Sequence, residues 1–200
     1  MPGEILFSTA YFPPVEYFSL IKDADHIIID QEENYIKQTY RNRCRILTSN
    51  GIMQLSVPVM KGDLLKVRVK EITIDYSKRW QQVHLRAIIS SYGKSPYFQF
   101  YFEGFEKILL KNHRFLLDLN NDLLGKCLNI MMINKRVSNS DSFEPIQGKD
   151  NDFRYRISSK TKSDHVCKPY IQVFCESGFI AGLSILDLIF NTGPRSADYL

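Results

Sequence analysis

Long hydrophobic runs are missing from this chain. Its most apolar stretches, Leu128–Ile133 and Leu183–Phe190, fall well short of the roughly 20 residues that cross a bilayer, so no membrane span is expected. A secretory leader is not expected either, because Met1–Phe12 has no basic start and carries Glu4 inside its apolar run. Cysteine is scarce. Cys44, Cys127, Cys167 and Cys175 have neither Cys-x-x-Cys spacing nor the density of a disulfide scaffold. Reduced thiols and a cytoplasmic location follow as the expectation. The histidines His26, His84, His113 and His165 are remote from one another, which gives a metal site little support. Charge of one sign is also short: the net charge of +4 is too small to argue for nucleic acid. No Gly-x-Gly-x-x-Gly, Walker loop, Ser-His-Asp order or paired-carboxylate spacing is present, and no cofactor or oligomeric state is implied. Any catalysis must use residues gathered by the fold.

What the chain does have is the composition of a globular protein, 44% hydrophobic and 24% charged over 200 residues. That length suits a single domain, residues 1–200, with a full core. Its 13 Phe and 11 Tyr serve a core and also suit sites for sugars or flat rings. Ile5–Phe7 reads as a buried strand, Pro13-Pro14 starts a helix over Val15–Asp23, and Ile27–Ile29 ends at Asp30 as a second strand. That order predicts a βαβ-like unit. Asn50-Gly51 predicts a hairpin of Cys44–Leu47 with Met53–Val57, and Lys66–Ile74 alternates like a half-exposed strand. Helices are expected over Ser77–Ser91, Tyr97–Leu110 and Asn120–Met132. Residues 136–162 read as a long loop, Tyr170–Phe174 as a last strand and Leu183–Phe190 as a closing helix. The fold class is therefore α/β: a mixed sheet with a βαβ-like start, a hairpin and a helical C-terminal half.

The unusual polar residues begin with Tyr40-Arg41-Asn42-Arg43-Cys44-Arg45. On a strand, Arg41, Arg43 and Arg45 would share one face, with Asn42 on the core side in need of a hydrogen bond. Two readings stand: a solvated face answered by Glu32, Glu33 or Asp75, or a site for phosphate or carboxylate. Trp80, His84, Ala87, Ile88 and Ser91 share one helix face, so His84 is either a satisfied core histidine or an acid–base group. Lys94 is exposed at the junction Gly93–Pro96, where capping competes with ligand contact. In the closing helix Ser184, Asp187 and Asn191 form a polar stripe. Capping accounts for the first two, while a buried Asp187 would need a partner such as an arginine of the Tyr40–Arg45 strand.

Several strings together resemble the WbqC-like protein family. They are Tyr11-Phe12-Pro13-Pro14, Tyr35-Ile36-Lys37-Gln38-Thr39-Tyr40-Arg41-Asn42-Arg43-Cys44 and Leu55-Ser56-Val57-Pro58-Val59, then Trp80, His84, Pro96-Tyr97-Phe98, Tyr170–Phe174 and Leu183–Asn191 with Gly193-Pro194. The Pro-Pro start and Gly-Pro end resemble the branch found in Bacteroidetes. The resemblance implies an uncharacterised activity near genes for O-antigen and other surface polysaccharides. Many relatives open on a histidine-containing loop, where this chain has Thr9-Ala10 and Pro14-Val15-Glu16-Tyr17. That departure counts against nucleotidyl transfer. The expectation is a group transferase, acyl or aminoacyl, that acts on an anionic small molecule such as a nucleotide sugar or activated acyl donor. Tyr11, Lys37, Arg41, Asn42, Arg43 and Lys94 would bind it, with His84 as acid or base and Asp187 orienting a cation. The rival is a carbohydrate- or partner-binding module that uses Tyr97, Phe98, Tyr101 and Phe102. A cavity joining Tyr11, Arg41, Arg43 and His84 would favour the enzyme.

Overall fold

Two short β-branched or aromatic runs, separated by a helix that starts on proline, set the frame. The computed structural model describes residues 3–60, 66–143, 151–157, 167–174 and 178–200. Glu4–Ser8 forms β1, Val15–Asp23 forms α1 and His26–Asp30 forms β2. β1 and β2 pair in parallel, with Ser8 opposite Asp30 at their carboxyl ends. Pro14 sits extended just before α1, where its missing N–H leaves no acceptor unanswered. Ile5, Phe7, Ile27 and Ile29 face the core, so period-two burial fixes the register.

β3 (Arg43–Thr48) and β4 (Gly51–Ser56) form the antiparallel hairpin, with Gly51 at φ 97° in its turn. A side chain there would be strained. Three helices follow, α2 (Trp80–Tyr92), α3 (Phe98–Leu110) and α4 (Leu116–Ile130). β5 (Arg136–Asn139) then returns to lie parallel beside β2, giving the sheet order β1-β2-β5. The expected α/β class is present, its strands divided between this parallel sheet and the separate hairpin. α5 (Ile185–Thr192) closes the chain before a 3-10 stretch, Gly193–Tyr199. Its residues Ile185–Phe190 are all buried, as an almost wholly apolar helix requires. Phe190 is the hub of the helical core, with ring centroids 5.2 Å from Phe98, 5.4 Å from Tyr92 and 5.9 Å from Phe105.

Three expectations need correction. Lys66–Ile74 is not a strand: Val69–Glu71 is a 3-10 turn, with isolated bridges at Arg68, Thr73 and Ile74. The buried carboxylate of Glu32 draws in both Arg68 and Lys70, and Val69 and Ile72 go to the core at an interval of three. The stretch expected as a loop over 136–162 starts with β5, whose polar sequence hides its role as a sheet edge; 144–150 and 158–162 lie outside the described residues. Tyr170–Phe174 makes no ladder. Its Tyr170 and Gln172 side chains instead bond to Asp187, and Gln172 also joins the backbone of Ile180. Among the described residues no helix is long and apolar enough to cross a membrane.

Candidate functional site

In an open parallel sheet the crevice beyond the strands' carboxyl ends is where ligands bind. Here that place holds a network of buried charge. Asp30, the last residue of β2, accepts the amides of Glu32 and Glu33 on Oδ1, at 2.9 and 3.1 Å, and so turns the chain back over the strand ends. Its Oδ2 receives Arg154 Nη1 at 2.5 Å. Glu33, fully buried, receives Arg41 in a bidentate pair, Nε to Oε1 at 2.8 Å and Nη2 to Oε2 at 2.5 Å. Ser8, the last residue of β1, joins the two pairs. Its Oγ accepts from Arg41 Nη2 at 2.7 Å, donates to the Arg154 carbonyl at 2.8 Å, and stands 3.2 Å from Glu33 Oε2.

A cavity of about 210 Å³ opens beside this network. Ser8, Thr9, Thr39 and Arg41 give it polar groups, and Tyr17, Tyr155 and Phe153 give it ring walls. Pro14, at the start of α1, also lines it. Tyr155 lies between the two guanidiniums, 5.7 Å from Arg41 and 6.0 Å from Arg154. Burial pushes the Glu33 carboxyl up, against the opposing pull of Arg41. Burial likewise raises the Tyr17 hydroxyl, which donates to the Ser8 carbonyl. Arg154 is held protonated by Asp152 first and Asp30 second. Among the described residues no group of His, Cys, Asp and Glu could hold a metal ion.

The strand begins at Arg43, not Tyr40, so Arg41 is parted from Arg43 and Arg45. Arg43 and Arg45 are half-buried on the hairpin while Arg41 turns inward. Asn42 is buried and donates to the Val57 carbonyl at 2.9 Å. Lys37 is exposed near the cavity rim formed by Ile36 and Thr39, and Lys94 is exposed between α2 and α3. Tyr11 and His84 meet in the core, hydroxyl to Nδ1 at 2.9 Å, and do not line the cavity with Arg41. Asp187 takes Tyr170 and Gln172 on Oδ2 at 2.7 and 2.8 Å; the arginine partner expected for it is replaced by these neutral donors. Burial accordingly raises its carboxyl pKa. Ser184 caps α5 at the Leu186 amide, as its position predicts. Sequence reasoning missed Ser8, Asp30 and Arg154. The one signal in reach was Asp30, an acid ending a β-branched run.

A model of the WbqC-like protein family matches residues 9–171. The chain belongs to the WbqC-like family. Most of the strand-end network falls inside that span, and Ser8 and Asp187 fall outside it. An uncharacterised protein of Mycobacterium tuberculosis, strain H37Rv, is 30% identical to this WbqC-like chain, over 95% of the chain and 94% of its own length. No solved structure matches significantly.

His84 carries a testable pH signature in this WbqC-like fold. Burial lowers its pKa to about 4, with a hydrogen bond to the Ser56 carbonyl opposing. The unfolded imidazole titrates near 6.5. Between those values the unfolded chain holds more protons, so stability falls as pH drops through the window, by on the order of 3 kcal/mol. Asp187 and Glu33 act with the opposite sign, because burial raises their carboxyl pKa and favours the folded state at low pH. Comparing wild type with His84→Gln isolates the histidine. The stability gap between them in urea should narrow on acidification from neutral pH to about 4.5. Parallel pH curves would show that His84 does not titrate with folding.

Proposed function

We propose that the strand-end cavity takes the polar end of a small activated precursor, a nucleotide-linked sugar or acyl donor. The protein then serves as a group transferase, passing an acyl or aminoacyl group in surface polysaccharide assembly. The observation that supports this reading is Arg41, locked by Glu33 and Ser8 at the carboxyl end of β1 while lining the cavity. A guanidinium fixed by a buried carboxylate loses little freedom when it meets a ligand anion. Among the described residues its Nη1 meets only the Thr39 hydroxyl, at 3.3 Å, a weak bond that a carboxylate or phosphate oxygen can replace. Ser8 and Glu33, 3.2 Å apart, are placed to move a proton during transfer. The polysaccharide setting rests on the family resemblance alone.

A binding module without chemistry is the second reading. The observation in its favour is α3, where Phe98 stacks on Phe102 at 4.6 Å, Tyr97 on Tyr101 at 6.3 Å, and Phe100 is 75% exposed. Thermal scanning with nucleotide sugars, ATP and coenzyme A tests the first reading. At least one should raise the melting temperature of the wild type by more than it raises that of Ile36→Trp, which fills the cavity rim from a 37% exposed position. If no compound stabilises the wild type, or Ile36→Trp responds equally, the cavity is not the site. Ligand binding with no transferred product by mass spectrometry would favour the module.

A further inference from the structure

A second cavity, at the start of α2, shares no lining residue with the first. It is an open groove of about 580 Å³, a size that suits a small-molecule ligand. Lys78, Arg79 and Arg114 line it together with Tyr76, Gln82 and Asn112. Among the described residues no carboxylate does. The three cations make no ion pair with any described residue; Arg114 rests its guanidinium 5.1 Å from the Phe115 ring. The nearest acid in sequence, Asp75, is turned to the Ser77 amide at 2.8 Å. Three like charges gathered in one groove repel each other until an anion answers them.

The backbone adds to the same sign. α2 has no side-chain cap and no acid in its first turn. The Trp80 and Val83 amides bond to the Lys78 and Arg79 carbonyls, while those of Gln81 and Gln82 have no acceptor among the described residues. The Gln81 side chain donates to the Leu109 carbonyl at 2.6 Å and to Asn112 Oδ1 at 3.0 Å. That bond sets the Asn112 amide with its N–H groups as a further donor. Guanidinium forks, an ammonium, amide donors and the positive end of a 13-residue helix thus converge on one groove. Tyr76, 38% exposed at its edge, has a ring face for a base.

We infer that this groove binds the diphosphate of a nucleoside-diphosphate ligand. Arg79 and Arg114 grip the phosphate oxygens, Lys78 adds charge, and Tyr76 stacks on the base. Three cations gathered in one groove, in a chain whose net charge is only +4, fit a small ligand and not a nucleic-acid track. This site stands whether or not the strand-end cavity carries the transfer.

Calorimetric titration at low ionic strength with inorganic pyrophosphate and with uridine diphosphate tests it. The wild type should bind both, and the double variant Arg79→Gln/Arg114→Gln should lose roughly tenfold or more in affinity for each. Its melting temperature should stay unchanged, since both side chains are exposed. Tyr76→Ala should weaken uridine diphosphate and spare pyrophosphate. Ile36→Trp, at the other cavity, should bind both as wild type does. The inference is overturned if the wild type binds neither probe or if the double variant binds like wild type. Loss of pyrophosphate binding in Ile36→Trp would move the anion to the strand ends. Tighter binding of an RNA oligonucleotide with a steep salt dependence would replace the small ligand with a nucleic acid.

Discussion

Replacing Arg41 with methionine should lower stability by about 3–5 kcal/mol, the cost of leaving one member of a buried pair alone. Glu33 is fully buried, and both of its oxygens depend on Arg41. Without the guanidinium the carboxylate keeps, among the described residues, only the Ser8 hydroxyl, at 3.2 Å. Protonation is its only escape, so the loss should shrink at low pH. The double variant Arg41→Met/Glu33→Leu should recover most of the lost stability, because an apolar pair of similar volume is close to neutral in such a place. Urea unfolding gives both numbers, as midpoint shifts at an unchanged slope. A pair retained for binding predicts that the double variant folds and no longer responds to ligand. A loss below about 1 kcal/mol for the single variant would mean that the pair is solvated and of little weight.

Gly193→Ala should cost about 3 kcal/mol or more, from strain and overlap together. Gly193 ends α5 at φ 60° and ψ −131°, a conformation that side chains avoid. A Cβ there would also overlap the Tyr97 ring. Backbone leaves no easy way out, because the Tyr97 amide is fixed to the Phe190 carbonyl at 3.0 Å just ahead of α3. The damage should therefore spread to the α3–α5 contact around Phe98 and Phe190. A fall in melting temperature together with faster amide exchange at Tyr97 and Phe98 would show it; exchange that changes only after Gly193 would place the strain elsewhere.

How far the sequence carried varies by element. The βαβ start was legible because Ile5–Phe7, Pro13-Pro14 and Ile27–Ile29 each obey a local rule. The hairpin was legible for the same reason, since Asn50-Gly51 dictates its turn. Lys66–Ile74 misled because its alternation of charge and apolar residues is also satisfied by a chain that curls around Glu32. Within the site, Glu33 stood among the acids set against the arginines, and it became the partner of Arg41 alone. Arg154 was beyond reach: its partner Asp30 is 124 residues away, and nothing local marks Arg154 off from Arg156. His84 shows the limit of a motif. Its helix face was correctly placed against the core, yet only the fold reveals that Tyr11 is its partner and that the cavity lies elsewhere.

The central claim is that the carboxyl ends of β1 and β2 form a ligand site. A crystal structure with whichever nucleotide sugar or acyl donor gives the largest thermal shift tests it most directly. The account predicts a ligand oxygen within hydrogen-bond distance of Arg41 Nη1 and Thr39, next to Ser8. Ligand density confined to the aromatic face of α3, with the strand-end cavity unchanged, would contradict it.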